Sequence, residues 1–287
     1  MSQVTKSAPI CNCCHCRVCR EEAAAREAEP RPAPPEPDYW ILARRPLACL
    51  VFLFPLLALY ELGVIWMGGA DPTTVRNGAD AWMRSGLASL GIPFGFLLPL
   101  LVMAGLLGWH LWVRHPWKIS GDTLLGMFAE SVLFAFVLIV AGQLQNVAFE
   151  KLGNPEVPLA VGGASAGQRS LFGAETAALA ISFVGAGIYE EALFRLCLLP
   201  MLFGVFRLLK LNTTWAAVLA VITTSLMFSL AHHVGPTGEA FRLFPFTFRL
   251  LAGLFFAALF VIRGFGITVG THAFYDLIVG LLLSPTP

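Results

Sequence analysis

Charge is scarce in this chain: Asp, Glu, Lys and Arg make up 13% of its 287 residues, against about 25% in a typical soluble domain. With 57% hydrophobic residues and a mean hydropathy of +0.73, it holds more apolar surface than one soluble core buries, so lipid must cover much of it. A net charge of +1 supplies no long-range field, and no nucleic-acid partner is expected. The first 40 residues lack an apolar h-region, so no cleavable signal peptide is expected and the first span directs insertion. Also missing are the H-E-x-x-H spacing of zinc proteases and the repeated broken helices that would mark a transporter.

What residues 1–40 do contain is a cluster of Cys11, Cys13, Cys14, Cys16 and Cys19, a charged run over 20–29 and a Pro-rich stretch over 30–37. None of these packs a core, which predicts a disordered cytoplasmic tail. The run CNCCHCRVC, with His15 inside it, could hold zinc through thiolates, be acylated, or be a plain thiol-rich tail. Its cysteines lie closer together than the paired knuckles of folded zinc modules. Cys49 and Cys197 stand alone in apolar surroundings and read as small core residues.

Residues 41–287 predict an all-α, polytopic transmembrane bundle of about seven or eight spans. Apolar runs recur at 46–67, 86–113, 122–149, 173–209, 215–233, 246–262 and 266–283, each near or above the length that crosses hydrocarbon. The run over 173–209 is long for one crossing, so it is either a protruding helix or two segments broken near an acidic pair. Arg44, Arg45, Arg114, Lys118, Arg207, Lys210 and Arg263 fall on one side, and the positive-inside rule puts that side and the N-terminus in the cytoplasm. Arg76, Arg84, Lys151, Arg169 and Arg242 on the other side make the bias modest.

An ionisable group inside a span costs several kcal/mol unless paired or facing water, so each is a candidate for function. Three places concentrate them. Glu190, Glu191 and Arg195 lie within the longest apolar run. On a helix Glu191 and Arg195 are i,i+4 neighbours able to pair, whereas Glu190 is turned about 100° away and left without a local partner. An unpaired carboxylate suits general acid–base work, while the Glu191–Arg195 pair reads first as a packing link. Phe228 and His232 share one face near the end of another apolar span. His272 and Asp276 share a face of the last, where Asp276 could orient the imidazole or hydrogen-bond a reacting oxygen. Other embedded groups, Glu61, His110 and Arg249, read as snorkelling or interhelical contacts, and Glu130 stands deep enough to line a cavity.

Together, E-E-x-x-x-R at 190–195, F-x-x-x-H at 228–232 and H-x-x-x-D at 272–276 resemble the CPBP (ABI) family of intramembrane proteases, which includes the type II CAAX prenyl endopeptidases. The resemblance covers about 173–283, the protease core. It implies hydrolysis of a peptide bond near the membrane surface, with Glu190 activating water alongside His232, and His272 and Asp276 stabilising the oxyanion. Glu191 and Arg195 would hold the base, and no cofactor is required. Its substrate would be a peptide or protein, possibly lipidated, reached through membrane lipid. Two departures stand out: Leu196 follows the Arg where many members have Gly, and Asp276 stands where Asn is common. An ionised Asp would repel an oxyanion, so it must be protonated, orient His272, or mark altered activity. Two rivals remain: a zinc hydrolase with Glu190, His232 and His272 as ligands, and a non-catalytic scaffold or immunity protein in which the polar groups fix packing.

Overall fold

A computed structural model describes residues 38–68, 75–92, 95–153, 173–235 and 238–283. All belong to one compact unit, Asp38–Pro287. The cysteine cluster, with its zinc and acylation readings, lies outside the described residues. Among the described residues the regular structure is entirely helical, as expected for an all-α membrane bundle. In chain order the helices are α1 (Tyr39–Leu42), α2 (Pro46–Gly68), α3 (Gly78–Ser89), α4 (Leu97–Val113) and α5 (Gly121–Lys151). There follow α6 (Ala174–Glu191), α7 (Leu199–Leu208), α8 (Thr213–Ala231), α9 (Leu243–Arg263) and α10 (Phe265–Leu277).

Among the described residues, five stretches are long and apolar enough to span a membrane: α2, α5, α8, α9 and α10 with its continuation to Leu283. α4 is apolar but shorter, at 17 residues. Their ends follow local chemistry. Ser120 caps α5 by accepting from Thr123 N (3.1 Å), and Asn212 caps α8 by accepting from Trp215 N (2.9 Å). α4 stops where Arg114 turns left-handed, and α9 stops at Gly264 with φ +87°.

Two expectations are corrected. The run over 86–113 is not one segment: its first residues finish the amphipathic α3, Gly91 turns the chain at φ +80°, and α4 begins only at Leu97. The run over 173–209 neither breaks nor continues as a plain α-helix. A π-helical stretch, Ala192–Leu198, begins immediately after Glu191 and joins α6 to α7. Wide turns of this kind are rare and concentrate at functional sites. Cys197, in that stretch, is exposed rather than a core residue, whereas Cys49 is buried.

α10 lies at the centre, packed mainly on α5 and α6, and α6 in turn packs on α2. One core joins α2, α4, α6 and α10 through residues such as Leu53, Tyr60, Ile188 and Ile267. A second joins α5, α9 and α10 around Phe248, Phe256 and Tyr275. The approach of α6 to α10 requires glycine: a Cβ on Gly187 would stand 2.8 Å from Ala273 N. That contact brings the acidic end of α6 beside His272.

Candidate active site

Glu190 and Glu191 end α6, His232 follows directly on α8, and His272 and Asp276 occupy successive turns of α10. These elements bring the three sequence-predicted groups together. Nε2 of His232 and Nε2 of His272 each lie 3.9 Å from the same oxygen, Glu190 Oε2. That oxygen is buried and has no hydrogen-bond partner among the described residues. Two heavy atoms 3.9 Å apart are too distant to bond directly, but one water can reach both at about 2.8 Å.

The backbone and its neighbours fix both rings. His232 Nδ1 lies 2.9 Å from the Phe228 carbonyl, so Nδ1 carries the proton and donates, leaving a lone pair on Nε2 toward Glu190. His272 Nδ1 lies 2.7 Å from Glu191 Oε1, and its Nε2 lies 3.5 Å from Asp276 Oδ2. The His272 ring stacks on Phe256 with centroids 4.6 Å apart and planes 15° from parallel. Access is graded: side-chain exposure falls from 27% at His232 through 15% at Glu190 and 6% at His272 to 0% at Glu191. Burial, foremost, holds the His232 imidazole below its ordinary value of 6.5, and the Glu190 anion only partly opposes it.

Glu191 does more than pair with its helical neighbour. Arg195 Nε stands 3.1 Å from Glu191 Oε2, without a hydrogen-bonding angle, while the other carboxylate oxygen takes His272. Both Glu191 and Asp276 contact the His272 ring, Glu191 at Nδ1 and more closely than Asp276 at Nε2. Arg195 is 1% exposed and donates to the Gly253 carbonyl (3.2 Å). Its guanidinium lies 4.5 Å from the Phe228 ring centre and 5.5 Å from that of Phe256. Phe228 therefore packs on Arg195 and, 6.0 Å away, on His272.

A second polar cluster abuts the first and was missed by sequence reasoning. Tyr189, beside Glu190, donates to Glu61 Oε1 (2.5 Å), which also accepts from Arg84 (2.8 Å). Asp80, fully buried, accepts from Tyr60 (2.8 Å), Arg76 (2.7 Å) and Arg84 (2.5 Å). Arg84 also donates to the Gly95 carbonyl, tying α3 to the approach of α4. The visible signal was Arg76–Asp80–Arg84, an unbroken i,i+4 series of alternating sign.

Of the remaining embedded groups, Arg249 reaches the site through Glu239, whose N–H donates to the His232 carbonyl (2.9 Å). Glu130 does not line it: its carboxylate holds Arg263 at 2.7 Å, and that guanidinium covers Trp40 at 3.8 Å. Arg249 pairs with Glu239 at 2.8 Å, and the buried His110 packs edge-on to Trp117 with centroids 4.5 Å apart. Among the described residues no group of three or more His, Cys, Asp or Glu side chains is arranged to hold a metal ion.

With this geometry in place, comparison with known families is informative. Residues 172–278 match the family described as Type II CAAX prenyl endopeptidase Rce1-like. The match bears out the family resemblance carried by the three motifs, and spans the helices that bring Glu190, His232, His272 and Asp276 together. No curated protein and no solved structure matches the chain.

Proposed function

From the premise that residues 172–278 are a segment of the Rce1-like type II CAAX prenyl endopeptidase family, we propose that this integral membrane protein is an intramembrane endopeptidase with Glu190 as its general base. The observation that carries the reading is the convergence of two imidazole nitrogens on the unpartnered Glu190 Oε2. A water there gives one proton to Glu190 and the other as a hydrogen bond to the His232 Nε2 lone pair. Its oxygen attacks the carbonyl carbon of the scissile peptide bond. The resulting oxyanion accepts a hydrogen bond from His272, whose second ring nitrogen is anchored by Glu191. Collapse breaks the C–N bond, and the proton held by Glu190 passes to the leaving amine.

In this scheme Asp276, 3.5 Å from the same His272 Nε2 that faces the oxyanion, positions that donor. Phe228 and Arg195 keep the rings in place. The substrate is a peptide or protein segment within the membrane, and its lipidation is left to the test.

The deciding experiment is Glu190→Gln, assayed on membrane peptides that accumulate without the protein. Loss of proteolysis with unchanged membrane insertion and thermal unfolding is the expected result. Full activity in the variant would remove Glu190 as the base. Metal analysis of the same preparation, with activity measured in a chelator, separates this mechanism from zinc ligation by Glu190, His232 and His272.

A further inference from the structure

We infer that Glu239, held by Arg249, is a positioning residue for the reaction: the pair locks the last turn of α8 in the tight form that aims the His232 lone pair at Glu190. The inference rests on the protease reading for the role of His232, and on geometry for the rest. An α-helix ends with carbonyls that its own N–H groups do not reach, and one remedy is to tighten the last turn. α8 ends in this way. The N–H groups of His232, His233 and Val234 each turn to the carbonyl three residues back, on Ser229 (3.4 Å), Leu230 (2.9 Å) and Ala231 (3.3 Å). The Phe228 carbonyl, which the His232 N–H would take in a continuing helix, is thereby released to accept from His232 Nδ1 (2.9 Å). The tautomer with its lone pair on Nε2 is a product of that tightened turn.

Glu239 is bound at three points, two on this turn and one on α9. Its N–H donates to the His232 carbonyl (2.9 Å), its own carbonyl accepts from His233 Nδ1 (3.1 Å), and both its carboxylate oxygens accept from Arg249 Nη2 (2.8 Å each). The residue before it must be glycine for the chain to come this close: a Cβ on Gly238 would stand 2.9 Å from the His233 carbonyl carbon. Arg249 lies in α9, whose first turn is itself fastened to α8, where Ser229 donates to the Phe246 carbonyl (2.7 Å). The ion pair thus anchors Glu239 to a helix already tied to α8, and through Glu239 it holds the His232 carbonyl. Both residues act through the backbone of His232 rather than its ring. The Glu239 side chain is 47% exposed, so the pair adds little to global stability, and its loss should be felt at His232 instead.

The ring nitrogens report the tautomer directly. The full chain, purified in detergent with isotope-labelled histidine, is followed by nitrogen NMR at mildly alkaline pH, the His232 signals being those absent from His232→Gln. The parent should show a protonated Nδ1 and an unprotonated Nε2. Glu239→Ala and Arg249→Met should each lose that single form, the proton moving wholly or partly to Nε2, with thermal unfolding unchanged. Arg249→Lys should keep it, because one guanidinium nitrogen serves both carboxylate oxygens and an ammonium can take its place. On membrane peptides that accumulate without the protein, kcat should fall about tenfold in Glu239→Ala and Arg249→Met with KM unchanged, short of the roughly 10²–10⁴-fold cost of deleting an acid–base group. An Nε2-protonated parent, an unaltered tautomer in Glu239→Ala, or equal effects of Met and Lys at position 249 would overturn the assignment. If the tautomer shifts as described and Glu190→Gln stays active, the protease reading alone fails. If Glu190→Gln abolishes proteolysis while Glu239→Ala keeps both tautomer and rate, the positioning role alone fails.

Discussion

Removing the charge from Glu191 tests whether the carboxylate binds two elements together. Glutamine at 191 offers one carbonyl oxygen where two carboxylate oxygens now face His272 Nδ1 (2.7 Å) and Arg195 Nε (3.1 Å). If that oxygen stays on His272, the amide group turns toward Arg195 and leaves a cation that is 1% exposed without a counter-ion. Breaking a buried pair from one side costs about 3–5 kcal/mol, because a desolvated charge is stranded. Arg195→Met strands no cation and refills the space beside Phe228 and Phe256, but deprives Glu191 of its guanidinium. It should cost a similar amount. Combining the two substitutions removes both charges, and neutral replacement of a buried pair is often close to neutral in stability. The double variant should therefore be more stable than the sum of the singles implies, by at least about 2 kcal/mol, toward or beyond the upper end of the range seen for coupled neighbours. Thermal and denaturant unfolding of the purified proteins in detergent, followed by circular dichroism, measures all four corners of the cycle. Single-variant losses that add to within about 0.5 kcal/mol would show that the two groups do not act as a unit.

Two further outcomes follow from the same network. Tyr189→Phe removes the hydroxyl that donates to Glu61 and should lower stability by about 1–3 kcal/mol, measured by the same unfolding assay; a change below about 0.5 kcal/mol would mean that Arg84 alone satisfies that carboxylate. The pH profile of kcat/KM should keep its activity into the acid range: His232, just outside α8, has its imidazole held below 6.5 mainly by burial, so its neutral, proton-accepting form persists at neutral pH and is lost only as pH falls through that lowered value. An acid limb centred above 6.5 would contradict the assignment of His232 as an acceptor.

What could be read from the chain alone divides by distance along it. Apolar runs located the bundle because a lipid-facing helix needs only length and hydrophobicity. The Glu191–Arg195 pair was visible because i,i+4 spacing fixes neighbours on any helix. The same hydropathy count merged the end of α3 with α4, since a sum over residues does not register a single left-handed turn at Gly91. The contacts that shape the site were the hardest to see. Glu191 reaches His272 across 81 residues, and Tyr189 reaches Glu61 across 128. Neither separation has a period, and both depend on the close approach that Gly187 and its neighbours permit between α6, α2 and α10. Glu130 shows the converse. Its depth in an apolar run suggested a cavity, but depth gives no direction around the helix axis, and Arg263 lay on the face it presents. A buried charge in one span therefore signals that a partner exists, while the identity of the partner is settled by helix packing.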